Sequence, residues 1–170
     1  AACWTVWWRS TGNATAVDGR PALSSEEIID RAAGHADIVI PFPSVDPRGD
    51  GVFARVHSLA ARGARGFKFH PSLQAFQPND TAHYPMYAAI EETGLPAVFH
   101  TGQTGIGAGL PGGRGIKLRY SDPMLLDDVA ADFPRLPIIL SYPSEPWQDA
   151  AIAMAHHHAH RVLLAELLYQ

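Results

Sequence analysis

With 170 residues, 46% of them apolar and 18% charged, the chain is long enough for one globular domain with a real core. A formal net charge of -4 offers no general basic field for nucleic acid or anionic lipid, and no apolar run approaches the roughly 20 residues that span a bilayer. Cys3 stands alone, which excludes an intrachain disulfide and a multi-cysteine zinc site and fits a reducing, cytoplasmic compartment; the first residues also lack the basic start and apolar centre of a signal peptide.

Residues 4–8, rich in tryptophan, are the first predicted strand, and so abrupt an apolar start reads as the middle of a longer sequence. Ser24-Ser25-Glu26-Glu27 is a capping box that opens a helix, with Gly34 as its expected left-handed stop. Residues 37–41 are the second predicted strand. Val52, Phe53, Val56, Leu59 and Ala60 recur at helical spacing, and Gly63 ends that helix. Residues 66–70 and 96–100 are the next strands, separated by a helix with Pro85 in its first turn and its end near Gly94. Asp122-Pro123 reads as a cap and an N1 proline, and Pro134 stops the helix near Phe133. Strands over 137–142 and 161–165 flank a last helix opened by Pro146-Trp147-Gln148 and running to about His158. Short apolar runs alternating with amphipathic stretches predict an α/β domain with about six parallel strands. An open doubly wound sheet and part of a closed barrel both satisfy this pattern, and both bind ligands at the C-terminal ends of the strands.

Two predicted strands end in histidine, at His70 and His100, and a third ends at Ser141-Tyr142. Neutral imidazole is a common metal ligand, so side-by-side strand ends of this kind can hold a divalent ion or can carry ordinary hydrogen-bonded histidines. Lys68 lies two residues before His70 and shares its face, either inside a barrel or along the rim. After His100 comes a glycine-dense loop, residues 101–115, whose glycines permit close backbone approach to a ligand. Arg114, Lys117 and Arg119 are its candidate anion-binding residues. Its glycine spacing matches neither standard nucleotide fingerprint. The run His156-His157-His158-Ala159-His160 closes a helix at the opposite end of the sheet and is read as structural, while His35, His57 and His83 are read as surface residues.

Gly66-Phe67-Lys68-Phe69-His70-Pro71, Tyr84-Pro85-Met86-Tyr87 and Gly94-Leu95-Pro96-Ala97-Val98-Phe99-His100-Thr101-Gly102 resemble the amidohydrolase-related family, which includes aminocarboxymuconate-semialdehyde decarboxylase and the hydroxybenzoate and resorcylate decarboxylases. Lys117-Leu118-Arg119-Tyr120-Ser121-Asp122-Pro123 and Pro146-Trp147-Gln148 continue the match. The resemblance implies a (β/α)8 TIM barrel of which this chain supplies strands two to seven, one domain over residues 1–170 truncated at both ends. It further implies a divalent metal, zinc or alternatively manganese, with His100 as a ligand. A small carboxylated substrate is implied too, with hydrolysis or non-oxidative decarboxylation as the reaction. Arg114, Lys117 and Arg119 are expected to bind that substrate, and Lys68, His70 and Tyr142 to be the catalytic group. Neither nucleic acid nor a membrane is an expected partner, and a homo-oligomer is compatible with the pattern. The family usually carries histidine where this chain has Tyr142; a phenol of ordinary pKa, about 10, donates a proton well but is a poor base at neutral pH. That departure supports a competing expectation, a catalytically inactive barrel piece that only binds or assembles.

Overall fold

The computed structural model describes residues 23–165. Four parallel strands, β1 (Phe67–Phe69), β2 (Ala97–His100), β3 (Ile138–Ser141) and β4 (Val162–Ala165), lie in the order β1-β2-β3-β4. Six helices accompany them: α1 (Ser25–Ala33), α2 (Val52–Arg62), α3 (Pro71–Gln74), α4 (Tyr84–Thr93), α5 (Leu125–Asp132) and α6 (Gln148–His157). Sequential parallel neighbours joined by helical crossovers are the repeating βα arrangement expected of a partial barrel.

Register explains how one sheet can have two chemically different faces. Phe67 pairs with Ala97, Ala97 with Ile138 and Ile138 with Val162, and two residues on Phe69, Phe99 and Leu140 share the same level. Side chains alternate along a strand, so these residues form one apolar face. Helices cover it: Val56 and Leu59 of α2, Met86, Tyr87 and Ile90 of α4, Leu126 and Val129 of α5, and Ala151 and Met154 of α6 join the same core. Phe69 and Phe99 stack there at 5.1 Å between ring centres. Each fully buried side chain of this size contributes roughly 1.5–3 kcal/mol of transfer free energy. The intervening residues, Lys68, Val98, Ile139 and Leu163, point to the other face, and so do the strand-end residues one level higher.

Several local expectations hold. Ser24 accepts a hydrogen bond from the Glu27 N–H while the Glu27 carboxylate accepts from the Ser24 N–H, completing the capping box. Gly63 and Gly94 stop α2 and α4 in left-handed conformation, and Pro85 lies in the first turn of α4. Others need correction. Gly34 ends α1 at φ -76°, in right-handed conformation. Asp122 caps a turn by accepting from the Met124 N–H, so α5 begins at Leu125, later than Asp122-Pro123 suggests. No strand forms over residues 37–41: the chain turns through Asp37 and Ile38, and residues 39–46 are irregular. There Pro41 and Pro43 accept hydrogen bonds from the Arg65 and Lys68 N–H groups. Neither proline has an N–H to return, so this segment flanks β1 without building a ladder. The predicted strand at 4–8 lies outside the described residues. Among the described residues no helix is long and apolar enough to cross a membrane.

Candidate active site

The sheet face turned away from the helices carries the polar strand ends. His100 closes β2 and is level with Ser141 at the end of β3, and His70 follows β1 directly. His70 and His100 lie ring on ring, 3.8 Å between centres and 10° from parallel. Tyr142 meets the His100 ring edgewise at 5.1 Å. Four predicted site residues on three strands, Lys68, His70, His100 and Tyr142, are thereby gathered on one side of the sheet. They are separated by up to 74 positions in sequence.

Each is held by its surroundings. His70 also caps α3: its Nδ1 accepts from the Leu73 N–H at 3.4 Å, and its own N–H donates to Gln74 Oε1 at 2.8 Å. Burial, the neighbouring His100 and Lys68 press its pKa down to about 2, so the ring is neutral. His100 is held near pKa 4, chiefly by burial, and is neutral as well. Its Nε2 lies 2.9 Å from the Gln103 carbonyl. A carbonyl only accepts, so Nε2 carries the proton and the lone pair falls on Nδ1. Lys68 is 7% exposed, and its Nζ donates to Ser141 Oγ at 2.7 Å. Desolvation lowers its pKa to about 7. Tyr142 takes a positive φ of 74° and donates its N–H to the Ala165 carbonyl at 3.0 Å. A non-glycine residue in this region costs on the order of 1–3 kcal/mol, a strain found mainly where a site dictates the backbone.

The loop after β2 is fastened at its start and exposed farther on. The Gly102 N–H donates to the Ser121 carbonyl at 2.8 Å, and the Gln103 N–H to the Glu145 carbonyl at 2.7 Å. Thr101 Oγ1 donates to the Ser141 carbonyl at 3.1 Å and lies 2.7 Å from Ser144 Oγ. Glycine is required here for contact between loops. A Cβ on Gly102, at φ +88°, would stand 2.6 Å from the Ser144 carbonyl carbon, and one on Gly107 2.4 Å from the Gly113 oxygen. At these two positions the close backbone approach is made by the chain to itself, where the sequence suggested a ligand.

A cavity of about 520 Å³ opens beside these loops, bounded by His100, Thr101, Gln103, Tyr142, Ser144 and Glu145 among others. Arg114, Lys117 and Arg119 are exposed and do not line it. Arg114 has a φ of 57°, and Arg119 lies over the Tyr120 ring at 5.2 Å. Among the described residues no three His, Cys, Asp or Glu side chains come together as a metal-binding group. His100 does have what a ligand needs: a neutral imidazole, buried, at a strand end. His70 does not complete a chelate with it, because an imidazole binds along a lone pair in its own plane and these planes are stacked.

Sequence reading missed Ser141, Gln103 and Ser144. Ser141 alone carried a usable signal, as the last strand residue before Tyr142. The histidine run has the structural role expected: His158 Nε2 lies 2.8 Å from Asp127 Oδ1, tying the end of α6 to α5. His57 reaches Glu92 at 3.1 Å on an exposed surface. His83 is a correction. It is 5% exposed and packs edge-on against Phe76 at 5.3 Å, because a 3-10 turn at Thr81–His83 rolls it under the chain.

Comparison with known proteins bears on the architecture and the family. No curated protein matches the chain. Among solved structures, an uncharacterized TIM-barrel protein from Bordetella bronchiseptica superposes with a TM-score of 0.67 at 23% identity, over 84% of this chain and 48% of its own. A 5-carboxyvanillate decarboxylase from Novosphingobium aromaticivorans, complexed with manganese and 4-hydroxy-3-methoxy-5-nitrobenzoic acid, gives 0.57 at 16% identity, over 80% and 42%. A probable 2-pyrone-4,6-dicarboxylic acid hydrolase from Acinetobacter baumannii, with citric acid bound, gives 0.57 at 9% identity, over 96% and 53%. The chain thus spans about half the length of these structures, and at such identities the likeness establishes the α/β TIM-barrel architecture alone. A family model described as amidohydrolase matches residues 9–167, nearly the whole sequence, and the chain belongs to the amidohydrolase family.

Proposed function

We propose that this chain, within its complete barrel, forms part of the active site of a metal-dependent amidohydrolase-family enzyme acting on a small carboxylated organic substrate, by hydrolysis or by non-oxidative decarboxylation. The observation that carries the reading is the convergence of His70, His100 and Tyr142 at neighbouring strand ends, with Lys68 beneath them. Support for the reaction class comes from solved relatives of the same fold, a decarboxylase complexed with manganese and a probable dicarboxylic acid hydrolase.

His100 would be one ligand of a divalent metal, zinc or manganese. Such an ion, when bound, supplies a Lewis acid that polarises a substrate oxygen or activates water. The neutral state of His100 leaves a lone pair available without competition from a proton. Tyr142 occupies the proton-transfer position: its hydroxyl would deliver a proton to the carbon that loses carbon dioxide, or to the leaving group in hydrolysis. Lys68 and His70 line the cup. Arg114, Lys117 and Arg119, exposed outside the cavity, would clamp a substrate carboxylate at its rim.

The test is metal analysis and turnover of the complete barrel on candidate aromatic acids and lactones, with and without His100→Ala. Stoichiometric metal and turnover that both depend on His100 support the proposal; a metal-free protein, or one whose turnover survives the substitution, ends it. Product analysis separates carbon dioxide release from hydrolysis. The competing reading, a piece that only binds or assembles, draws on Tyr142 and predicts no turnover on any acid even with metal supplied.

A further inference from the structure

The inner face holds a charge problem that the chain does not solve with its own described residues. Lys68 is 7% exposed, and its Nζ donates to the neutral hydroxyl of Ser141 at 2.7 Å. An ammonium has three N–H donors, and one is used there. The buried polar groups among the described residues are serines, a threonine, a glutamine, histidines and this lysine; no aspartate or glutamate is among them. Ion pairs among the described residues lie at other positions, such as Arg55 with Glu26, Arg62 with Asp30 and Arg135 with Glu91. The adjoining imidazoles of His70 and His100 bring no negative charge either.

A buried cation without a counter-charge costs several kcal/mol, and a methionine of similar length would remove that cost. The position also has a direction. Lys68 is level with Val98 and Ile139, one step below His100 and Ser141 on the same face, so its ammonium rises from the floor of the cup toward the strand-end groups. Ser141, fully buried and fixed by the strand, holds Nζ at that height.

We propose that Lys68, held in place by Ser141, is an inner anion subsite that takes a carboxylate of the substrate. This rests on the enzyme reading above and deepens it: the recognising charge sits inside the sheet, independent of the exposed cations Arg114, Lys117 and Arg119. Lys68 lies one step below His100, which lines the cavity, and would meet a carboxylate that enters past that ring; Ser141 is a positioning residue that acts through Lys68.

The experiment is an NMR-detected titration of the full chain with benzoate and, as the uncharged control, benzamide. Benzoate binds the unsubstituted chain; Lys68→Met weakens it about ten- to a hundredfold, the range of one charge-assisted hydrogen bond. Lys68→Arg keeps part of the affinity, Ser141→Ala loses less than Lys68→Met, and benzamide responds to none of them. Lys68→Gln, which keeps a donor without the charge, behaves as Lys68→Met and separates charge from packing. Without ligand and at a pH below about 7, where Lys68 carries its charge, Lys68→Met melts above the unsubstituted chain, because the buried cation is gone. The proposal is overturned by absent benzoate binding, by benzoate affinity unchanged in Lys68→Met, or by a lower melting temperature of that variant, which would mark a cation neutralised inside the chain. Binding is read without turnover or metal. An inactive, metal-free barrel that still shows Lys68-dependent benzoate binding therefore overturns the enzyme reading alone, and unchanged binding overturns the subsite alone.

Discussion

The imidazoles of His70 and His100 stack face to face, 3.8 Å between centres, although 30 positions and the helices α3 and α4 separate them in the chain. On the proposed reading two neutral rings so arranged would divide the labour: a ligand's lone pair lies in the plane of its ring, so one ion would be bound by one of them and flanked by the other.

That division predicts different outcomes for the two histidines in the complete barrel. His100→Ala is expected to lose bound metal and to lower kcat/KM by about a hundredfold or more, since even outer-shell partners of metal sites are worth 10–100-fold. His70→Asn, which keeps an acceptor for the Leu73 N–H, is expected to leave metal content unchanged. Metal stoichiometry by elemental analysis of both variants checks it.

On the proposed reading Tyr142 takes the proton-transfer position, and its phenol can serve as an acid. Tyr142→Phe removes the proton and is expected to lower kcat by about 10²–10⁴-fold, the usual worth of a positioned acid or base. Tyr142→His is expected to retain turnover near neutral pH, because imidazole titrates there and histidine tolerates positive φ comparatively well. Steady-state rates across pH distinguish the two.

Gly102 joins two loops of the site at a distance no side chain fits. Gly102→Ala places a methyl group 2.6 Å from the Ser144 carbonyl carbon at a φ of +88°. Backbone cannot move aside as a flexible side chain can, so the substitution is expected to destabilise the chain by about 2 kcal/mol or more. Urea denaturation reads the loss directly.

The acid limb of stability carries a contribution from α1 and α2. Arg55 holds the Glu26 carboxylate by two hydrogen bonds, the one from Nη2 at 2.8 Å, and lowers its pKa from 4.5 to about 2. Between these values the unfolded chain binds a proton that the folded chain does not. The contribution is therefore complete above pH 4.5 and is lost as pH falls toward 2. Both side chains face water, at 40% and 33% exposure, so solvent screening limits the effect to about 0.5 kcal/mol. Glu26→Gln is expected to be less stable at neutral pH by this amount and to converge with the unsubstituted chain in acid, as read by denaturation at several pH values.

Local chemistry is what the sequence displays most openly. Ser24 and Glu27 cap a helix through bonds spanning three residues, Gly63 and Gly94 stop helices within one turn, and the apolar alternation of residues 66–70 and 96–100 sets which side of each strand is buried. From these, the βα order and the strand-end placement of His70 and His100 are legible, whereas the barrel class followed from the family resemblance. Residues 37–41 misled because apolar composition says nothing of the missing donors at Pro41 and Pro43 that follow the turn. His83 misled because a loop histidine and a buried one have the same neighbours in sequence. The stacking of His70 on His100, the contact between Lys68 and Ser141 across 73 positions, and the pinning of Gly102 against Ser144 were decided by tertiary structure. They depend on the register of strands aligned by long crossovers. That alignment is fixed by packing of the apolar face against the helices, a long-range condition that no local pattern of residues encodes.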